Sequence, residues 1–208
     1  DLDKSVKGII FEIDSPGGDA VASQEIADAI KKLDKKNYAV IRSVGASGAY
    51  WIASASDKII VSPISITGSI GVLSSYLQFS KLFDKYGVTY ERLVAGEHKD
   101  LGSPFRELTD EERELLQKKM KLVHEFFVGE VAKNRNLSVD YVTNISTGEF
   151  YMGQEAIALG LVDGVGDRDK ASEMMKKALN LVDVNIVERK HERTLFDVRL
   201  VKTTIDIK

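Results

Sequence analysis

An α/β fold is predicted for this chain, and three observations predict it. Short apolar runs alternate with stretches of helical period over the first sixty residues. Those runs stop at turns rich in glycine and small residues. The alternation then gives way to a long capped helix and several shorter ones.

The elements follow in order. Residues 8–13 (Gly-Ile-Ile-Phe-Glu-Ile) read as a buried strand stopping at Asp14-Ser15-Pro16-Gly17-Gly18. A helix from Asp19 to Lys36 carries Val21, Ala22, Ile26, Ile30 and Leu33 at helical spacing. Tyr38–Ser43 is the next strand, and Gly45-Ala46-Ser47-Gly48-Ala49 opens a small-residue helix running to Ser56. Ile59–Val61 is a third strand, so strand–helix–strand–helix–strand alternation argues for parallel pairing through crossovers. A glycine-rich stretch, Ile66–Val72, precedes a helix over Leu77–Tyr86 and a strand over Val88–Val94. Ala95–Leu108 has no period and is long for a connection, which points to function or an interface. Thr109-Asp110-Glu111-Glu112 is a capping box that starts a helix to Asn134, with Leu116, Met120, Val123, Phe127 and Val131 on one face. Short helices are expected over 138–144, 153–160 and 168–180, and a strand at Leu161–Val162. Residues 183–208 alternate apolar and polar residues like an appended strand.

With 43% hydrophobic and 29% charged residues, the chain of 208 can bury a sizeable core. It contains no cysteine, which excludes disulfides, thiolate metal sites and cysteine catalysis. The net charge of −3 comes from 29 basic and 32 acidic side chains mixed along the chain, so no basic block suits a nucleic acid. Lys31, Lys32, Lys35 and Lys36 form the longest basic run, a solvated helix end. No apolar run reaches the 18 residues of a membrane span. The sequence begins Asp-Leu-Asp-Lys-Ser without a Met and enters an apolar strand at once, as a piece of a longer polypeptide would.

Ser47 is the candidate nucleophile. Its small neighbours permit a sharp strand-to-helix turn and close approach of substrate, as in a Gly-x-Ser-x-Gly elbow, here with Ala49 in the last place. The N–H of Gly48 would emerge from the helix start, where it suits a developing oxyanion. A helix-capping serine is the equal alternative. The Pro16-Gly17-Gly18 turn allows positive φ and so a second exposed amide, although such a sequence is first of all a turn. For a base, His124 lies in mid-helix and His191 in the charged tail, while His98 and Lys99 adjoin in the irregular loop. Burial can lower a lysine toward a working base. On the residues alone, His98 and Lys99 both read first as ordinary exposed loop residues, and no spacing singles out Lys99.

The turn Asp14–Gly18, the stretch Ala46-Ser47-Gly48-Ala49-Tyr50, the segment Thr67–Val72 and the loop His98-Lys99-Asp100 with Ser103-Pro104 occur in one order, with Lys99 following Ser47 by 52 positions. In these four stretches the chain resembles the signal peptide peptidase A (protease IV) family in its half-length form, over residues 5 to 180. The resemblance implies an α/β fold of the crotonase/ClpP type, a spiral of βαβ units with C-terminal helices. It implies a single domain over 1–208 with 183–208 as an extension, preceded in the family by a membrane anchor and a first strand. By position, Ser47 matches the nucleophile, Lys99 the general base, Ser69 a hydroxyl orienting the lysine, and Gly18 and Gly48 the oxyanion-hole donors. The implied activity is ATP-independent cleavage of extended apolar peptides such as signal peptide remnants, with no cofactor and no metal. Implied partners are the peptide and further copies of the chain in a ring, with Ser and Lys from neighbouring subunits. The implied location is the extracytoplasmic side of the cell membrane.

Other readings stay open. A ClpP-like triad would require a histidine soon after the serine, and none occurs between Ser47 and His98. A stomatin-associated membrane protease would have a shorter Ser-to-Lys spacing. An acyl-CoA hydratase or isomerase of the same fold would require a nucleotide pocket and a placed glutamate. A catalytically dead assembly module would have no use for the Ser–Lys–Ser set.

Overall fold

A computed structural model describes residues 5–188. Much of the expected 183–208 extension therefore lies outside the described residues. The elements are β1 (Gly8–Ser15), α1 (Ala20–Lys31), β2 (Lys36–Ala46), α2 (Gly48–Ser54), β3 (Lys58–Val61), β4 (Ile66–Gly68), α3 (Ser80–Tyr86), α4 (Asp110–Arg135), α5 (Val139–Ile145), β5 (Phe150–Met152), α6 (Gly153–Ala158), β6 (Gly164–Val165) and α7 (Arg168–Ala178). The fold is mixed α/β.

β2 is the axis of the sheet. β1 lies parallel along one edge. The other edge is shared, β3 pairing with Tyr38–Ile41 and β4 with Val44–Ala46, both parallel. β6 extends the sheet beyond β3 in parallel, and β5 closes it beyond β4 in antiparallel. Successive β2 side chains face opposite sides, as a pleat requires. Ala39 and Ile41, with Ile59 and Val61 of β3, join the large core under α1, α2, α4, α5 and α6. Tyr38, Val40 and Ile60 point the other way, against Ala171 and Met175 of α7. The sheet is thus covered on both faces, which explains strands that read as continuous apolar runs.

Local chemistry places the helices. Asp19 caps α1, its Oδ1 accepting the Ala22 N–H at 2.8 Å. The expected capping box opens α4: Thr109 Oγ1 accepts from Glu112 N and Glu112 Oε2 accepts from Thr109 N, both at 3.1 Å. α4 ends at Asn136, in the left-handed region at φ 54°. Its C-terminal half is the buried one, with Phe127 stacked on Trp51 of α2 at 4.7 Å between ring centroids.

Two expected strands are corrected. Val88–Val94 forms no strand: no strand among the described residues pairs with it, and the Val88 N–H instead closes the end of α3 on Phe83 O at 2.9 Å. Leu161–Val162 is buried but not in the ladder. The Leu161 N–H closes the end of α6 on Ala156 O, and pairing with β3 begins only at Gly164. The second helix is shorter than expected because β2 runs to Ala46 and keeps Gly45 and Ala46 in the sheet.

Residues 72 to 108 form an arm outside this body. α3 within it buries no residue, and Leu73, Leu77 and Leu93 are 83%, 75% and 95% exposed. The arm coheres internally: Phe105 lies between Phe83 and Tyr90 at 5.7 and 5.6 Å, and Phe79 N donates to Pro104 O.

Candidate active site

The site lies where β2 and β4 end side by side. Ala46 pairs with Gly68, and one residue further the Ser47 N–H donates to Gly68 O at 2.8 Å. Ser47 then turns sharply, at φ 53° and ψ −126°, a conformation that side chains with a Cβ seldom adopt. Its carbonyl accepts the Trp51 N–H at 3.0 Å, the first bond of α2. Its hydroxyl does not cap that helix and has no hydrogen-bond partner among the described residues. The capping role that the sequence left open is therefore not the one the hydroxyl performs.

Small residues make this turn possible. A Cβ at Gly45 would strike the Ile41 side chain at 2.7 Å, and one at Gly48 would strike the Ser23 hydroxyl. The Asp14–Gly18 turn folds directly against the elbow. Gly17, at φ 103°, is so close that a Cβ there would lie 2.7 Å from Gly48 N, 2.8 Å from Ala46 O and 2.9 Å from Ser47 Cβ. Gly18 N lies 3.3 Å from the place a Cβ of Gly48 would take. The amides of Gly18 and Gly48 are thus gathered beside Ser47, and neither has an acceptor among the described residues. Asp14 pins this turn: where the β1–β2 register shifts between Ile13 and Ser15, its Oδ1 accepts the Val44 N–H at 3.0 Å.

Ser69 follows Gly68 at φ 49°, just past the end of the strand beside Ser47, and its hydroxyl donates to Gly148 O at 3.1 Å. Beneath the elbow, Tyr50 of α2 donates its hydroxyl to Leu161 O at 2.7 Å, and burial pushes this phenol well above its ordinary value. It is a fixed donor that holds α2 against the loop after α6.

Of the five residues expected in the site, the structure brings together Ser47, Gly48, Gly18 and Ser69 at one corner. Lys99 is on the arm, exposed, in a turn closed by Lys99 N to Gly96 O at 3.1 Å. Within the chain its amine makes no hydrogen bond to Ser47 or Ser69. Sequence reasoning missed the carbonyl of Gly68, which holds the elbow, and the role of Gly17 as the spacer behind it. The Pro-Gly-Gly run was the available signal for the second. No group of three or more potential metal ligands occurs among the described residues.

The profile of peptidase family S49 matches residues 29–182, nearly three quarters of the chain. The chain belongs to peptidase family S49. The matched stretch contains Ser47, Gly48, Ser69 and Lys99, while Gly17 and Gly18 lie just before it. An Enterococcus faecium protein, provisionally named signal peptide peptidase SppA, is 39% identical over 197 residues, covering 93% of this chain and 57% of its own length. A Methanocaldococcus jannaschii protein, provisionally named a protease, is 39% identical over 188 residues, 89% of this chain and 60% of its own. The chloroplastic serine protease SPPA of Arabidopsis thaliana is 35% identical over 181 residues, 86% of this chain and 27% of its own. This S49 chain therefore spans less than two thirds of the length of these relatives. No helix among its described residues is long and apolar enough to cross a membrane.

Proposed function

We propose that this S49 chain is the catalytic part of an ATP-independent serine endopeptidase, with Ser47 as nucleophile and Lys99 as general base. The observation that carries the reading is the elbow itself: a strained serine with an unengaged hydroxyl beside the unpartnered amides of Gly18 and Gly48. In the reaction, the neutral Lys99 amine takes the Ser47 hydroxyl proton as Oγ attacks the peptide carbonyl carbon. The carbonyl oxygen takes up the negative charge between the two amides, a stabilisation of roughly 3–4 kcal/mol per donor. The C–N bond breaks as Lys99 delivers its proton to the leaving amine. Water, deprotonated by Lys99, then cleaves the acyl ester and restores Ser47. Ser69 orients the lysine amine.

The base comes from a neighbouring copy. An arm that buries none of α3 and exposes Leu73, Leu77 and Leu93 is unfinished on its own chain, and a second copy would cover it. The fold in this reading is the crotonase/ClpP spiral of βαβ units, one domain repeated around a ring. The substrate is an extended, largely apolar peptide, and the name of the Enterococcus relative directs this to signal peptide remnants. Such substrates place the domain on the extracytoplasmic face of the cell membrane, held by an anchor outside the described residues.

Two measurements test this. A fluorophosphonate should label Ser47, and Ser47→Ala and Lys99→Ala should each lose all but a small residual rate of peptide cleavage while folding and assembling normally. Mixing the two inactive variants should restore activity, at about a quarter of the sites in a randomly mixed heterologous ring. Full activity in folded Lys99→Ala rejects the base assignment, and mixed assemblies without activity reject the shared site.

A further inference from the structure

The loop that carries Lys99 is gripped by four charged side chains, none of which the reaction itself uses. Asp100, the next residue, receives two guanidinium forks. Arg92 donates Nε to Oδ2 and Nη2 to Oδ1, both at 2.7 Å. Arg106 donates Nε to Oδ2 at 2.7 Å and Nη2 to Oδ1 at 3.0 Å. Arg92 Nη2 also donates to Glu97 O at 2.9 Å, so Lys99 is held on both sides, at 97 and at 100. Arg106 presents its other edge to Glu112, with Nη1 to Oε2 at 2.7 Å and Nη2 to Oε1. Glu112 is the capping-box glutamate of α4, and the far half of that helix is packed into the core.

Isolated surface ion pairs contribute little, but this is a closed bidentate network. The side chains of Asp100, on the arm, and Glu112, at the start of α4, are only 12% and 6% exposed. The guanidinium of Arg92, then that of Arg106, holds the Asp100 carboxyl far below the ordinary carboxylate range. Arg106, followed by the Thr109 N–H, brings Glu112 down to about 2. Both acids are therefore ionised throughout the neutral range, the state that these paired bonds require. Both oxygens of Asp100 are also occupied by guanidinium groups, which leaves none free to hold the Lys99 ammonium.

We propose that Arg106 is a positioning residue that ties the Lys99 loop to the start of α4 and so sets where the base amine stands. The inference rests on Lys99 being the base. A lysine on an untethered loop would spend most of its time out of reach, and small displacements of a catalytic group cost up to about 100-fold in rate.

Arg106→Gln in the assembled protein should lower kcat for a reporter peptide roughly 30- to 100-fold and leave KM within about twofold. Arg106→Lys should recover little of the loss, because an ammonium cannot bridge two carboxylates with paired bonds. The decisive readout is the double variant. Lys99→Ala/Arg106→Gln should have the same residual rate as Lys99→Ala, since a residue acting only through Lys99 has nothing left to act on. A folded Arg106→Gln with kcat within twofold of the parent overturns the proposal. So does a double variant that falls below Lys99→Ala by the full factor of the single change. Should Arg106→Gln fail to fold, Arg92→Gln loosens the same turn from its solvent side and leaves the Arg106–Glu112 pair intact; an unchanged kcat there overturns the proposal. Full activity in Lys99→Ala alone rejects the base reading, a result separate from either of these.

Discussion

Replacing Ser47 by glycine is expected to abolish turnover and at the same time stabilise the protein relative to Ser47→Ala. At φ 53° and ψ −126° a residue with a Cβ is strained, by on the order of 1–3 kcal/mol. Alanine keeps the Cβ and so keeps the strain. Glycine releases it, but gives the unfolded chain more freedom, a loss of about 0.4–1 kcal/mol. The hydroxyl has no partner among the described residues, so neither change breaks a hydrogen bond there. The difference should favour glycine by about 1 kcal/mol.

In a chain of this length, about 1 kcal/mol moves the melting temperature by roughly 2–4 °C. Thermal and urea unfolding of the two inactive variants, at one subunit concentration, measures it. Equal m-values would show that both variants expose the same surface on unfolding, so that their midpoints compare stability directly. A glycine variant that melts below the alanine variant by 2 °C or more would refute the claim that the elbow is strained. The comparison is clean because both variants lack the nucleophile and neither can cleave itself during the measurement.

Gly17→Ala should destabilise by about 2 kcal/mol or more and slow fluorophosphonate labelling of Ser47, because its Cβ meets backbone atoms of Ala46 and Gly48 that cannot swing away. Labelling at the parent rate would refute the spacer role. Asp163 is held by Lys58 Nζ, the Ile59 N–H and Arg135 Nη1, each at 2.9 Å. Burial alone would raise its carboxyl, but the bonds from Arg135 and Lys58 hold it below the usual 3.8. A carboxyl lowered by folding stabilises fully above its unfolded value and loses that contribution as pH falls through the lower folded one. Asp163→Asn should therefore cost about 2 kcal/mol at pH 7, with the gap to the parent closing below about pH 4. Denaturant titrations at pH 7 and pH 3 check this, and a gap that stays constant would refute it.

What could be read in the sequence was what depends on near neighbours. The elbow was legible because only small residues tolerate the turn at Ser47, and they stand within two positions of it. The start of α4 was legible because Thr109 and Glu112 cap each other three residues apart. Val88–Val94 has the composition of a strand, yet a strand exists only where another lies beside it, and that is a property of the folded chain. β5 escaped notice for the converse reason: three residues suffice because β4, more than eighty positions earlier, supplies the ladder. Leu161 and Val162 read as a strand and are buried, but burial does not decide which backbone groups pair. Arg92, Asp100 and Arg106 look like scattered solvated charges, and Glu112 like a helix cap alone, until the arm folds them onto one another.

The two halves of the proposed site are built by different forces, and this bears on how the activity is controlled. Ser47, its two amides and Ser69 sit on strand ends backed by Trp51, Phe127 and the apolar core, so one chain holds them in place before any substrate arrives. Lys99 is framed by charges and one small aromatic cluster on an arm that shares no core with the body. In the proposed reading, hydrophobic burial keeps Ser47 ready in every copy, while Lys99 is presented only where another copy receives the arm. A strained serine with an exposed oxyanion pocket would otherwise be a hazard to any extended peptide. In the proposed reading, with the proton acceptor on a different chain, Ser47 in an isolated copy would keep its proton and acylate slowly, and assembly would be the step that licenses proteolysis.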